Sequence, residues 1–184
     1  YYNAVLNVNR PVEDVKPLDN GMQIDRVFCK STLSGVTTQP KGGSPKGCSS
    51  LASLQLAATQ PISAQLTLVL PHDSYYILVE DHIPAGAEIV NINLLTTQLG
   101  QGDETAAPQF AADDPFSNGW GWWSFTQPVI FDDHIRWVAE AASAGTYTLT
   151  YRLQPLYAGE FRLIPAQAYM YYFPEVQGAS SGAI

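Results

Sequence analysis

The chain has 184 residues, which is long enough for one domain with its own hydrophobic core. Apolar residues make up 46 % of it and charged residues 14 %, a composition typical of a globular rather than a disordered protein. The formal net charge of −8, with nine scattered Lys and Arg residues, argues against the basic surface that nucleic-acid binding requires. No apolar run approaches the roughly 18 residues of a membrane span, so we expect neither a nucleic-acid partner nor a transmembrane segment.

Short segments rich in β-branched and aromatic residues, separated by Pro and Gly, follow one another along the chain. They are "YNAVLNVNR", "MQIDRVFCK", "AQLTLVL", "YYILVED", "AEIVNINLL", "HIRWVAE", "GTYTLTYRL" and "EFRLIP". Helical periodicity is nearly absent, and only "SSLASLQLAAT" could form a short helix. Two half-apolar sheets can cover each other only by stacking face to face. The sequence therefore predicts an all-β, antiparallel, immunoglobulin-like sandwich with at most one short helix.

The strand "GTYTLTYRL" shows the expected alternation most clearly. Its apolar face carries Tyr147, Leu149, Tyr151 and Leu153, and its other face is polar. We expect a single domain over residues 1–176, followed by a flexible tail over residues 177–184. Two long connections, residues 30–47 and 96–119, interrupt the strand pattern, and the second is predicted to be either a functional loop or a covering flap.

Cys29 and Cys48 are the only cysteines, and the 18 residues between them are rich in Gly, Ser, Thr and Pro. A disulfide closing this loop would stabilise the fold by about 3 kcal/mol in the chain-entropy model and would imply an oxidising compartment. Two free, buried thiols are the open alternative. No metal site is predicted, because the histidines and cysteines lack the short spacings of a zinc site.

Four aromatic residues crowd the segment "GWGWWSF". Trp120, Trp122 and Trp123 could stack on a sugar or anchor a domain interface, since Trp is enriched at binding hot spots. The plainer alternative is a bulky edge strand. In a strand, Trp120 and Trp122 would face one side and Trp123 the other, which weakens the hypothesis of one flat sugar platform.

The acidic pairs and the histidines are the remaining candidates for catalytic or metal-binding residues. Asp113-Asp114 and Asp132-Asp133 lack the ladder of a dedicated calcium loop and are expected to lie in turns. His72, His82 and His134 have acidic neighbours, but no nucleophile elbow accompanies them. We therefore predict no enzymatic activity and no cofactor.

The segment "YYILVEDHIPAGAEIVN" reads as a strand, a turn and a second strand, a hairpin in which Gly86 could take a positive φ. Together with "FDDHIRWVAEAASAGTYTLTYRLQPLYAGEFRLIPAQAYMYYFPEVQGAS" it resembles the last, tenth macroglobulin-like domain of bacterial alpha-2-macroglobulins. The family pattern has V-x-D-x-L-P-A-G, a D-D or D-R strand, G-x-Y-x-x-x-Y, G-x-F-x-x-P and a final M-Y-x-P-E-V-x-G, and each has a counterpart here in order. The N-terminal third fits more loosely, through "NGMQIDRVF".

The resemblance implies a macroglobulin-like sandwich at the C-terminal end of a large, extracytoplasmic protease trap. In that family a protease cuts a bait region, and an internal thioester then captures it. The thioester needs C-x-E-Q, whereas this chain has only "CKST" and "CSSL", so the reactive bond lies elsewhere. The implied partner is the rest of the parent chain, above all its thioester domain, and target proteases are met only indirectly.

The resemblance also points to particular residues, because a Met-Tyr pair in the family's closing loop keeps water from the thioester. Matched by letter, the pair falls on Met170 and Tyr171; counted back from Pro174, it falls on Tyr171 and Tyr172. Strand alternation would put Tyr171 and Phe173 on one face, opposite Met170 and Tyr172. Two alternatives stay open: an immunoglobulin-like structural or adhesive module of a bacterial cell-surface protein, and a carbohydrate-binding module that rests on the tryptophans alone.

Overall fold

A computed structural model describes residues 10–30, 48–49, 61–90 and 121–183. The strands in these ranges are β1 (Leu18–Asn20), β2 (Gln23–Lys30), β3 (Cys48–Ser49), β4 (Ile62–Leu70), β5 (Ser74–His82), β6 (Ala87–Ile89), β7 (Val129–Ile130), β8 (His134–Ala142), β9 (Gly145–Pro155), β10 (Gln167–Met170) and β11 (Gln177–Ala179). Single 3₁₀ turns lie at Val12–Asp14 and Trp122–Ser124. No helix in these ranges is long and apolar enough to span a bilayer. The predicted short helix falls almost wholly on residues 50–60, outside the described ranges.

The strands form two sheets whose neighbours are all antiparallel. The first sheet has the order β1-β11-β10-β5-β8-β7, and the second has the order β3-β2-β4-β9-β6. Buried side chains of both sheets belong to one hydrophobic cluster. The predicted antiparallel β-sandwich is confirmed.

The core follows from the alternation of side-chain directions along the long strands. Burial alternates at every position of β4, and the four apolar residues predicted to face inward from β9 are all buried. The first sheet contributes inward side chains that include Ile77, Val79, Ile135 and Trp137. Since opposite faces of each strand meet different surroundings, period-two patterning was enough to identify this core.

The segment "EFRLIP" is not the strand that its composition suggested. It makes one isolated bridge, in which Leu163 and Ala183 exchange backbone hydrogen bonds of 2.8 and 3.2 Å. The apolar–polar alternation of this segment arises because Leu163 is buried. A buried side chain does not by itself require its segment to pair with a neighbouring strand. The predicted strand "YNAVLNVNR", except for Arg10, and the part of "AEIVNINLL" after residue 90 lie outside the described residues.

The predicted hairpin at "VEDHIPAG" is wrong, because its two strands belong to different sheets: β5 to the first and β6 to the second. Gly86 is required by close packing rather than by a positive φ, since a Cβ there would lie 2.3 Å from the Phe161 ring. The Ala87 N–H donates to Pro84 O at 3.0 Å and closes the turn. This segment therefore carries the chain from one layer of the sandwich to the other.

Residues 177–183, most of the predicted flexible tail, are hydrogen-bonded to the sandwich. β11 pairs with both β1 and β10, and the buried hydroxyl of Ser180 accepts the Ala166 N–H at 2.9 Å. At Gly178 a Cβ would lie 2.4 Å from the carbonyl oxygen of Met22. Gly178 is thus required to be small where it packs against the backbone at the start of β2.

A buried polar group joins the two sheets. Arg26 of β2 forms an ion pair with Asp81 of β5, and the Tyr151 hydroxyl of β9 donates to the other Asp81 oxygen at 2.7 Å. A further Arg26 N–H donates to Ile164 O at 3.0 Å. Burial raises the pKa of Asp81 despite the opposing effects of Arg26 and Tyr151, and burial, together with the Asp81 charge, raises the pKa of Tyr151 well above its ordinary value.

Candidate interdomain surface

The chain turns back between β10 and β11 through residues 171–176, here called the closing loop. Val176 O accepts the Met170 N–H at 3.1 Å, and Phe173 O accepts the Val176 N–H at 2.9 Å. The Asn20 side-chain amide donates to Glu175 O at 2.5 Å and ties the loop to β1. The loop is therefore held at both ends by hydrogen bonds to its own sheet.

Three successive aromatic side chains of the closing loop point to solvent. Tyr171, Tyr172 and Phe173 are 62 %, 63 % and 55 % exposed. The expected alternation fails here because β10 ends at Met170, and beyond a strand end side chains no longer alternate between two faces. Adjacent exposed rings of this size are typical of a surface that another molecule covers.

The neighbouring strand β5 contributes a further ring. Tyr76 O accepts the Tyr171 N–H at 2.8 Å, and the Tyr76 ring meets Tyr172 edge to face at a centroid distance of 5.0 Å. Tyr172 meets Tyr171 in the same geometry at 5.2 Å. We call Tyr76, Tyr171 and Tyr172 the aromatic cluster.

Tyr76 has an unusual backbone. Its φ of +50° is positive, which no other non-glycine residue in the described ranges shows. Such a conformation is costly for a bulky residue and persists only where surrounding contacts impose it. The consequence is that Tyr75 and Tyr76 are both exposed although they are successive residues of one strand.

Tyr76 is not among the site residues that the sequence predicts. Its only signal was the doubled tyrosine at the start of "YYILVED", because polar–apolar alternation predicts that one of the two rings should be buried. The pairing of β5 with β10, which brings Tyr76 to the closing loop, joins residues far apart in the chain.

The three residues predicted to shield a thioester divide into two groups. Tyr171 and Tyr172 lie together in the exposed aromatic cluster, whereas Met170 is partly buried and packs against the core. The outward-facing pair is therefore the one obtained by counting back from Pro174.

The described part of the tryptophan segment, residues 121–125, does not form the edge strand that was the plainer alternative. The backbone of Trp122 and Trp123 forms a 3₁₀ turn after Gly121, whose φ is +77°. Trp123 is 53 % exposed, whereas Phe125 is buried against Tyr147. Trp120 lies outside the described residues, and an interface role for the tryptophans stays a prediction.

The described strands form a two-sheet antiparallel sandwich with an exposed aromatic loop at one end, a β-sandwich module of the macroglobulin type. A sequence profile of the bacterial alpha-2-macroglobulin MG10 domain matches residues 21–175. The chain belongs to this family, as the resemblance of its strand and turn motifs predicted.

The relatives are much longer than this chain. An alpha-2-macroglobulin homolog of Nostoc sp. (strain PCC 7120) is 27 % identical over 128 residues, which are 70 % of this chain and 6 % of that protein. A Salmonella alpha-2-macroglobulin mutant matches 95 % of the chain at a TM-score of 0.62 and 23 % identity, and the match covers 10 % of the mutant. Native Escherichia coli alpha-2-macroglobulin, from domain MG7 to the C-terminus, matches 93 % of the chain at a TM-score of 0.64 and 20 % identity, over 24 % of that structure. These structural matches support the fold.

Proposed function

We propose that this chain is the C-terminal domain of an alpha-2-macroglobulin-like protease-trapping protein, in which it packs on and shields a thioester-bearing neighbour domain. The observation that carries the proposal is the aromatic cluster, which exposes Tyr171 and Tyr172 by 62 % and 63 % on a hydrogen-bonded loop. The domain itself is not an enzyme. Its direct partner is the rest of the parent chain, and proteases meet it only through that chain.

The chemistry of shielding suits these side chains. A thioester is lost when water attacks its carbonyl carbon, so protection requires bulky, weakly polar groups that occupy the space around the bond. A buried tyrosine covers roughly 150–250 Å² and leaves its hydroxyl able to hydrogen-bond at the edge of the contact. Hydrogen bonds tie the closing loop to β1 and β10. The Tyr171 and Tyr172 rings are therefore already in position when a neighbouring domain packs against them.

In the full-length protein, replacing both Tyr171 and Tyr172 by glycine should shorten the lifetime of the thioester. The measurement is the time course of free-thiol release, together with the remaining reactivity towards methylamine. Tyr157→Gly is the matched control, because Tyr157 is 71 % exposed and lies outside the closing loop. Equal lifetimes for the double variant, the control and the unmodified protein would remove the shielding role.

We further propose that the chain works outside the cytoplasm, with Cys29 and Cys48 joined in a disulfide. The register of β2 and β3 places these two residues directly opposite each other. Opposed residues of an antiparallel pair have Cα atoms about 4.5–5.5 Å apart, within the roughly 4.4–6.8 Å that a disulfide spans. The backbone arrangement therefore supports the bond.

We expect the intact mass of the unreduced chain to be lower than that of the reduced chain by two hydrogen atoms. Cys48→Ser should abolish this difference and lower the stability by about 3 kcal/mol, since the loop between the cysteines is then unconstrained in the unfolded state. Identical masses with and without reductant would contradict the disulfide.

A further inference from the structure

Two histidines face each other on the outer side of the first sheet. His82 of β5 is paired directly with His134 of β8, and their rings stack at a centroid distance of 5.4 Å with planes 29° apart. Opposed residues of an antiparallel pair project on the same face, so both imidazoles occupy one site. Neither residue takes part in the aromatic cluster.

Each imidazole has a buried nitrogen without a partner. Among the described residues, neither His82 Nδ1 nor His134 Nε2 finds a hydrogen-bond partner. Most buried polar atoms in folded proteins are hydrogen-bonded, so two unpaired ring nitrogens in one pair of side chains call for an explanation. A neutral imidazole nitrogen with a free lone pair is the commonest metal ligand in proteins.

Asp133 orients one of these rings. Its Oδ1 lies 2.6 Å from His134 Nδ1, and the carboxylate is 74 % exposed. An ionised carboxylate only accepts hydrogen bonds, so Nδ1 carries the proton and the lone pair of the neutral ring lies on Nε2. In metal sites, a carboxylate commonly accepts a hydrogen bond from the imidazole nitrogen that does not bind the metal.

Packing holds the His134 ring in place from its other side. Phe131 stacks on His134 at 4.2 Å with planes 10° apart. The nearby cation, Arg136, lies over Phe131 and is neutralised by Glu80, with Nε and Oε1 2.5 Å apart. The His134 ring is thus held by Phe131 and Asp133, and the adjacent positive charge is compensated by Glu80.

We propose that His82 and His134 bind one divalent transition-metal ion of the zinc class, with Asp133 as the outer carboxylate. One nitrogen of each ring and one Asp133 oxygen lie within 4.8 Å of one another. Zn–N bonds of about 2.0–2.1 Å place two tetrahedral ligand nitrogens about 3.4 Å apart, which is within the 4.8 Å span of this group. Water, or a side chain of another domain, completes the coordination. Mg²⁺ and Ca²⁺ prefer oxygen ligands and do not suit this site.

The test is a Zn²⁺ titration of the chain without an affinity tag, followed by calorimetry and by thermal unfolding after EDTA treatment. The unmodified chain should bind one Zn²⁺ and unfold at a higher temperature with it, and Mg²⁺ should have no effect. His82→Gln and His134→Gln should each weaken binding at least tenfold. His72→Gln is the matched control, because His72 is the third histidine of the chain and is exposed.

A second pair of variants keeps the test decisive if a histidine variant folds poorly. Asp133→Ala should weaken Zn²⁺ binding by about 10–100-fold, whereas Asp132→Ala, at the exposed neighbouring position, should leave it unchanged. Absence of Zn²⁺ binding to the unmodified chain at neutral pH would overturn the proposal. Equal binding by the unmodified, His82→Gln and Asp133→Ala chains would do the same.

Discussion

Replacing Asp81 by alanine is expected to lower the free energy of unfolding by about 3–5 kcal/mol, because it leaves a buried cation without its counter-charge. Arg26 and Asp81 have side-chain exposures of 1 % and 0 %. Without the carboxylate, the partners that Arg26 keeps among the described residues are two carbonyl groups, His82 O and Ile164 O, and the Tyr151 hydroxyl loses its acceptor. Since 1 kcal/mol corresponds to roughly 2–4 °C for a chain of this size, the midpoint of thermal unfolding should fall by roughly 10 °C.

Urea unfolding followed by tryptophan fluorescence measures this effect. Asp25→Ala is the matched control, because it removes the same side chain from an exposed position of β2, one residue from Arg26. We expect the control to change the stability by less than about 0.5 kcal/mol. Similar losses for the two variants would show that the buried ion pair has no special part in joining the sheets.

A double variant distinguishes the net contribution of the ion pair to stability from the destabilisation caused by leaving one of its charges unpaired. Arg26→Met combined with Asp81→Leu replaces both charges by apolar groups, and such replacements of buried ion pairs are often neutral or stabilising. We expect the double variant to be less destabilised than the sum of the two single variants by more than about 1 kcal/mol. Strict additivity would contradict a direct interaction between the two side chains.

Replacing Gly178 by alanine is expected to destabilise the chain by about 1–3 kcal/mol, because the added carbon has no room. Its ideal position lies 2.4 Å from Met22 O and 2.9 Å from Met22 C, and both are backbone atoms that cannot rotate away. Gly178 lies opposite Asp19 of β1 and Ala168 of β10, so relieving the clash must move β11. Because β11 follows the closing loop directly, the aromatic cluster should shift with it.

Gly145→Ala is the control for Gly178→Ala. A Cβ at Gly145 meets nothing nearer than 3.9 Å, at the Tyr147 ring, and no left-handed backbone opposes the substitution. We expect a change of less than about 0.5 kcal/mol for Gly145→Ala in the same denaturation experiment. If both variants unfold at the same denaturant concentration, the close approach of β11 to β2 carries no energetic weight.

Much of the fold followed from local pattern. The alternation in β4 and β9 identified the inward side chains, because a strand between a core and solvent needs apolar residues at every second position. The motif order also led to the macroglobulin family, which the match over residues 21–175 confirms. Tyr171 and Tyr172 were named from the closing motif, and both are exposed in the loop that the motif predicts.

Local pattern was misleading where distant segments meet. The small residues after Val176 predict a flexible tail, whereas Gly178 packs against the backbone of Met22 and Gln23; a requirement for small size leaves no hydrophobic signal in the sequence. The segment "VEDHIPAG" predicts a hairpin, whereas in the structure it crosses between the sheets, because turn residues specify a reversal but not the partner of the next strand.

The sequence by itself determined the all-β class, the inward faces of the long strands and the family. Each of these depends on the spacing of residues within one segment, or on motifs read in order. Only the tertiary structure decided the rest: that Asp81 is the counter-charge of Arg26, that Tyr76 joins Tyr172, and that His82 faces His134. These contacts are set by strand register across the sheets and by the stacking of the two layers. Both arise from the packing of the whole core, so no short stretch of sequence encodes them.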